Sequence, residues 1–200
     1  MAVSAIDHSQ SLFLLEVLSV LAVPGPTNSL LFVSGVTRGL WASLPLIFAE
    51  LGAYSISISF LVLVLEPASR SHSTVGLLLR ILCSVYLAQM AVWLWRWKEQ
   101  KVPASHPITF RRVFLTTLIN PKNLVFAFLI FPRAGFTVFF PSLLGFSVIC
   151  IVAASSWIAG GALLQSTGVH KTHLTWFYRG EAFLLAGFAL VILISAYYDS

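Results

Sequence analysis

The chain has 200 residues, of which 58% are hydrophobic and 10% are charged, and its formal net charge is +5. Only 12 basic and 7 acidic side chains are present, too few to cover the surface of a soluble domain of this length, so the composition excludes an ordinary water-soluble protein and predicts an integral membrane protein. The basic residues are dispersed between apolar segments and lie beside tryptophans, a pattern typical of membrane anchoring rather than of a nucleic-acid-binding module.

Apolar stretches of roughly 17 to 25 residues can cross a bilayer as helices, and six candidates occur along the chain. The first is interpreted as a membrane helix and not as a cleavable signal peptide, because Asp7 and Glu16 lie where a signal would be basic. The basic piece 96–112 is a predicted cytoplasmic linker that divides one transmembrane domain into halves at 1–95 and 113–200. The predicted spans are Ser11–Phe32, Leu40–Leu65, Thr74–Trp95, Val113–Phe131, Thr137–Leu164 and Ala182–Tyr198.

Lysine and arginine are concentrated in alternate loops, with eight in the odd-numbered loops and two in the even-numbered ones. Cytoplasmic loops carry the excess, so both termini are predicted to face the outside. The second half then enters the membrane from the side opposite to the first, which predicts an all-α fold of six transmembrane helices arranged as two inverted three-helix repeats. Five tryptophans are interpreted as an interfacial belt at the inner face, namely Trp41, Trp93, Trp95, Trp97 and Trp176.

Two proline motifs interrupt the first and fourth spans, Val23-Pro24-Gly25-Pro26-Thr27-Asn28 and Asn120-Pro121-Lys122-Asn123. A proline lacks the N–H donor and clashes with the carbonyl four residues earlier, so helices 1 and 4 are expected to break and to leave the carbonyls of Val20, Ala22 and Thr117 without helical partners. An unpaired backbone group in hydrocarbon costs several kcal/mol, so a break indicates an internal cavity. A purely structural kink is the alternative.

The two breaks together favour a substrate site. Half-helices that restart near Thr27 and Lys122 present N–H groups that suit a carboxylate, and freed carbonyls suit an ammonium group, so an amino-acid zwitterion matches both. Paired interruptions at corresponding positions of two halves are typical of a transporter's binding site. The predicted substrate-binding residues are Pro24, Gly25, Pro26, Thr27, Asn28, Asn120, Pro121, Lys122 and Asn123.

Four ionisable residues lie inside the predicted spans: Glu16, Glu50, Arg80 and Lys122. Such residues are functional or paired by default. Glu50 and Lys122 fall within about 4 Å of their helix midpoints at the α-helical rise, which predicts a shared central cavity in which Glu50 carries a coupling proton. Glu16 and Arg80 lie nearer the outer face, where they form an ion pair or extend toward the headgroups.

The segments "PGPTNSLLF", Arg38-Gly39, "NPKNLVFAFL" and a last helix introduced by Arg179 with Gly187 further on together resemble the LysE/RhtB amino-acid exporters. The resemblance covers nearly the whole chain. It implies an exporter of amino acids or related small metabolites in the bacterial inner membrane, driven by the proton motive force and without a cofactor.

The sequence departs from the family pattern at two places. Ser43, Ala49 and Tyr54 stand where family members often have a glycine ladder followed by an acidic residue, and Ala154 stands where an aspartate often precedes a Leu-Trp pair. Either Glu50 replaces these carboxylates or the cargo differs. A neutral amino acid or a small carboxylate metabolite is therefore expected in preference to lysine.

Three other function classes compete with a secondary exporter. An intramembrane enzyme needs a nucleophile and base or metal ligands inside the spans, whereas all five histidines fall in loops or in the amino-terminal tail. No P-loop motif GxxxxGK[ST] is present, which excludes an ATP-driven pump for this chain alone. A non-transporting membrane scaffold or sensor stays open. The expected partners are a small-molecule substrate and the lipid bilayer, and a homo-oligomer stays open. No catalytic residue, metal site or nucleic-acid partner is predicted.

Overall fold

A computed structural model describes residues 2–65, 67, 73–96, 108–132, 135–167 and 174–198, and every regular element in these ranges is helical. Helices α1 (Ala2–Ala22) and α2 (Pro26–Arg38) form the first predicted span and are bent by 64° at the residues between them. The break therefore lies at Val23–Gly25, as the prolines predict. The span is longer than predicted at both ends, because the helical backbone continues through polar residues that a hydropathy pattern leaves out.

The second span consists of α3 (Leu40–Ser43) and α4 (Pro45–Phe60), which continues as a π-helical turn over Leu61–Leu65. Gly39 separates α2 from α3 at a φ of 78°, a left-handed conformation that glycine adopts without steric cost. The third span is α5 (Ser73–Arg96), close to its predicted bounds.

The fourth span is broken like the first. Helix α6 (Phe110–Leu118) is followed by α7 (Lys122–Val125), which continues as a π-helical turn over Phe126–Ile130, and the two parts are bent by 50°. Helix α8 (Phe136–Thr167) is the fifth span. Helix α9 (Leu174–Tyr198) contains the sixth predicted span and begins two turns before the predicted Ala182, again because polar residues continue the helix beyond its apolar part.

The described residues are those of a multi-pass membrane protein. Leu40–Leu65 and Phe136–Leu164 are each long and apolar enough to cross a bilayer, and the two bent pairs bring the total to as many as four. Helices α5 and α9 contribute shorter apolar stretches, Arg80–Val92 and Ala182–Ile194. The count of six spans stays a prediction, and the greater part of the linker, 97–107, lies outside the described residues.

Three long-range helix contacts organise the fold: α2 packs along α8, α4 along α6, and α5 along α9. The α2–α8 contact is backbone against backbone, because a methyl group at Gly35 would collide with the carbonyl oxygen of Ile158 and one at Gly161 with that of Phe32. Small residues permit such close approach in membrane helices. This contact holds the helix that follows the first break in a fixed position.

An aromatic cluster of Tyr54, Phe126 and Phe146 lies at the centre of the fold. Their ring centroids are 5.0 to 5.6 Å apart with nearly perpendicular planes, and all three side chains are fully buried. Edge-to-face pairs of this kind add stability beyond their buried area. The cluster joins α4, the π-helical turn after α7, and α8, so it fixes the second break relative to the neighbouring helices.

Candidate functional site

The first break is braced by its own asparagine. Asn28, on the first turn of α2, donates through Nδ2 to the carbonyl oxygens of Leu21 at 2.8 Å and Val23 at 2.7 Å. The predicted release of the Val20 and Ala22 carbonyls stays a prediction; the carbonyls that Asn28 reaches are those of Leu21 and Val23, on either side of the last helical residue, Ala22. Gly25 precedes α2 in an extended conformation and no described side chain caps that end.

The second break has the same brace. Asn123 donates through Nδ2 to the carbonyl oxygens of Thr117 at 2.8 Å and Leu118 at 3.0 Å, so the carbonyl of Thr117 finds a non-helical partner as predicted. Each bracing asparagine lies two residues after a proline, Pro26 or Pro121. At each break a side-chain amide therefore donates to two backbone carbonyls that lie at the end of the preceding helix.

A buried polar cluster joins the two breaks to each other. Asn120 donates through Nδ2 to Thr27 Oγ1 at 3.1 Å and to Tyr54 Oη at 3.4 Å, and Thr117 donates to the same Thr27 oxygen at 3.1 Å. All four side chains are buried. Asn120 also accepts from the backbone N–H of Lys122 at 3.0 Å through Oδ1, so it caps the start of α7.

Lys122 connects the second break to the first. Its Nζ donates to the carbonyl oxygen of Val23, the same oxygen that accepts from Asn28. The side chain is 3% exposed, so the ammonium group lies inside the protein and not at the headgroup level. The break in the first span thus binds a primary ammonium group in this structure.

Glu50 lies on α4 beside this region. The residue is 1% exposed and its Oε2 is buried without a hydrogen-bond partner among the described residues, as is Oδ1 of Asn123. Lys122 interacts electrostatically with the Glu50 carboxyl group, and Cys150 on α8 lies within range of the same carboxyl. The central cavity shared by Glu50 and Lys122 stays a prediction, since Glu50 is not among the described residues that line the cavity at Lys122.

The other predicted ion pair lies elsewhere. Glu16 is on the exposed face of α1, and Arg80 is half-buried on α5. The pairing of Glu16 with Arg80 stays a prediction. Neither residue contributes to the polar cluster between the breaks as far as its described contacts extend.

A cavity of about 290 Å³ opens beside Lys122, between the end of α1, α7 and α9. Val23, whose carbonyl accepts from Lys122, is also one of the lining residues. The remaining lining is mostly apolar: Ser19, Val20, Val125, Leu184, Leu185 and Phe188.

Several site residues were not predicted. Tyr54 follows Glu50 by one helical turn and therefore shares its face of α4, a spacing from which it could have been found. Tyr86 on α5 donates to the carbonyl of Ile119 at 2.6 Å, and Trp157 on α8 donates through Nε1 to that of Leu21 at 3.4 Å. Both residues lie on helices that are distant in sequence from the breaks they contact, and no local sequence pattern indicates these contacts.

A protein-family model described as LysE type translocator matches residues 18–196 of the chain. The matched range includes both breaks, Glu50 and α9. Comparisons with curated proteins and with solved structures return no match.

Proposed function

Because the chain belongs to the LysE type translocator family, we propose that it is a secondary transporter that exports zwitterionic amino acids or closely related metabolites across the bacterial inner membrane. The observation that carries the proposal is the bond from Lys122 Nζ to the carbonyl oxygen of Val23. This contact supports a role for the first break as a receptor for an ammonium group, with the second break as the source of a cation.

A zwitterionic substrate can replace this internal contact. Its ammonium group takes the place of Lys122 on the Val23 carbonyl, and its carboxylate accepts from the released Lys122. The first N–H groups of α2, which lack a side-chain cap at Gly25, also favour a carboxylate at that end of the helix. The substrate thereby provides a new partner for each of the two groups that it separates, Lys122 and the Val23 carbonyl.

Proton coupling is proposed for Glu50. Its buried carboxyl group has one oxygen without a donor and faces the charge of Lys122. When Lys122 pairs with a substrate carboxylate, Glu50 loses that compensation, which favours its protonated form. Substrate binding and proton binding are thereby linked through Lys122.

The pattern of helix contacts supports the inverted-repeat arrangement. In a two-fold inverted repeat, spans 1, 2 and 3 correspond to spans 4, 5 and 6. A contact between spans 1 and 5 then requires an equivalent contact between spans 4 and 2. Spans 3 and 6 are equivalent to each other, so a contact between them lies at the two-fold axis. The packing of α2 along α8, of α6 along α4 and of α5 along α9 follows this rule. The two asparagine braces occupy corresponding positions as well.

The test is efflux of labelled amino acids from proteoliposomes, with and without an imposed proton gradient. We expect Lys122→Met and Glu50→Gln each to lower the rate by about tenfold or more, because removing one partner of a buried charge pair costs several kcal/mol. Glu50→Gln should also abolish the response to the gradient. Leu144→Ala, on an exposed face of α8, is the control and should leave the rate unchanged.

A membrane scaffold or sensor without transport is the second candidate. Two residues favour it, because they stand where the family often has carboxylates: Tyr54, a buried phenol, and Ala154, a buried methyl group. Wild-type protein that moves no amino acid, with or without the gradient, would support this candidate and contradict the exporter.

A further inference from the structure

We propose that the cavity beside Lys122 binds the side chain of the exported amino acid and selects branched aliphatic side chains. The inference rests on the proposed function and names the substrate class of the same site. It assigns to α9 a role in specificity, although α9 contains neither proline break and contributes no residue to the predicted site.

The polar end of the cavity suits the α-amino and α-carboxyl groups. Lys122 Nζ and the Val23 carbonyl are bonded to each other, and both residues line the cavity wall. Among the described residues of the lining, Lys122 alone is charged. A basic amino acid would place its second ammonium group in a cavity without a carboxylate, and an acidic one would place its second carboxylate against apolar side chains, so both are disfavoured.

The apolar end suits a short branched chain. Val20, Val125 and Leu185 are buried residues of its wall, and Leu184 and Phe188 close it from α9. Its volume of about 290 Å³ is at the lower end of the roughly 300–1,000 Å³ typical of ligand pockets, which fits a small metabolite. Burying the four side-chain carbons of leucine predicts a preference for leucine over glycine of about tenfold or more.

The test measures efflux of labelled glycine, L-leucine, L-phenylalanine and L-lysine from proteoliposomes that contain the full chain. Wild-type protein should export leucine about tenfold faster than glycine or lysine at equal low concentration. Ser19→Leu fills the cavity and should lower the leucine-to-glycine ratio about tenfold. Phe188→Ala enlarges it and should raise export of phenylalanine relative to leucine.

Two matched variants control for the substitutions themselves. Ser156→Leu changes an exposed serine that bonds to its own helix backbone as Ser19 does, and Phe183→Ala changes an exposed phenylalanine of α9 that does not line the cavity. Both should keep wild-type ratios. Both export rates of a ratio are measured on the same protein preparation. A lower yield of folded variant therefore lowers both rates equally and leaves their ratio unchanged.

Export by the wild type with ratios unchanged in Ser19→Leu and Phe188→Ala would overturn the inference and leave the proposed function intact. Preferred export of lysine or glycine would overturn it as well. Export of none of the four amino acids would contradict the proposed function, and the inference would fall with it.

Discussion

At the scale of single residues, the asparagines after the prolines have a structural task that competes with substrate binding. Asn28 and Asn123 each donate both Nδ2 hydrogens to backbone carbonyls of their own break. In this structure neither side-chain amide has a further N–H to donate to a substrate, the role predicted for both residues. They hold the breaks open in a defined shape, and Thr27, Asn120 and Lys122 supply the groups that connect one break with the other.

Asn28→Ala and Asn123→Ala test this bracing. Each removes two hydrogen bonds to buried carbonyls, which costs about 1–3 kcal/mol, so each should lower the melting temperature of the detergent-solubilised protein by about 3 °C or more. Ser156→Ala removes an exposed hydroxyl and should cause no comparable loss. A melting temperature equal to that of the wild type for both asparagine variants would show that the braces do not stabilise the breaks.

At the scale of helices, the packing of α2 against α8 depends on two glycines. Gly35 on α2 contacts the backbone of α8, and Gly161 on α8 contacts the backbone of α2. We expect Gly35→Ala and Gly161→Ala to prevent stable accumulation of the protein, because the added methyl group would collide with a backbone carbonyl that cannot move aside. The measurement is the yield of monodisperse protein by fluorescence-detected size-exclusion chromatography.

Gly187→Ala is the matched control for these glycines. Gly187 lies in the middle of α9, where an added methyl group meets no atom within 4 Å. The variant should accumulate like the wild type. Equal yields for Gly35→Ala, Gly161→Ala and Gly187→Ala would mean that the close contact of α2 with α8 is not required for folding.

The helix breaks show how far sequence reasoning reaches at this scale. Pro24, Pro26 and Pro121 act on their own backbone, so the two interruptions and the starts of the following helices could be predicted from local stereochemistry. The contacts of Trp157 and Tyr86 with the broken ends depend on how distant helices pack. No periodicity within one helix indicates such contacts, which is why these residues were missed.

At the scale of the whole molecule, the distribution of lysine and arginine predicts that both termini face the outside. Reporter fusions at the two termini should be active only with a reporter that functions outside the cytoplasm. A reporter inserted in the segment 97–107 should give the opposite result. Cytoplasmic termini would contradict the predicted orientation, since the basic loops would then lie on the outer side. Termini on opposite sides would contradict the six-span inverted repeat.

Composition was sufficient to predict a helical membrane protein. With 58% hydrophobic residues, most of the protein surface must be apolar, and an apolar surface is stable in lipid and not in water. The positions of Glu50 and Lys122 along their predicted spans predict a similar depth for the two residues. The cavity could not be predicted, since Ser19, Lys122 and Leu185 are far apart in sequence and only the tertiary fold brings them together. Helix ends such as Ala2 and Leu174 were missed because polar residues extend helices without raising hydropathy.

The glycine contact between α2 and α8 also restricts how the protein can change shape. Two backbones in direct contact can neither slide nor rotate past each other without collision, so we expect these helices to travel as one rigid body. In the proposed transport cycle, the movement that opens the site toward each side of the bilayer would then come from the two breaks, with α1 and α6 turning about Val23–Gly25 and Ile119–Pro121. The same residues that receive the cargo would serve as the hinges that release it.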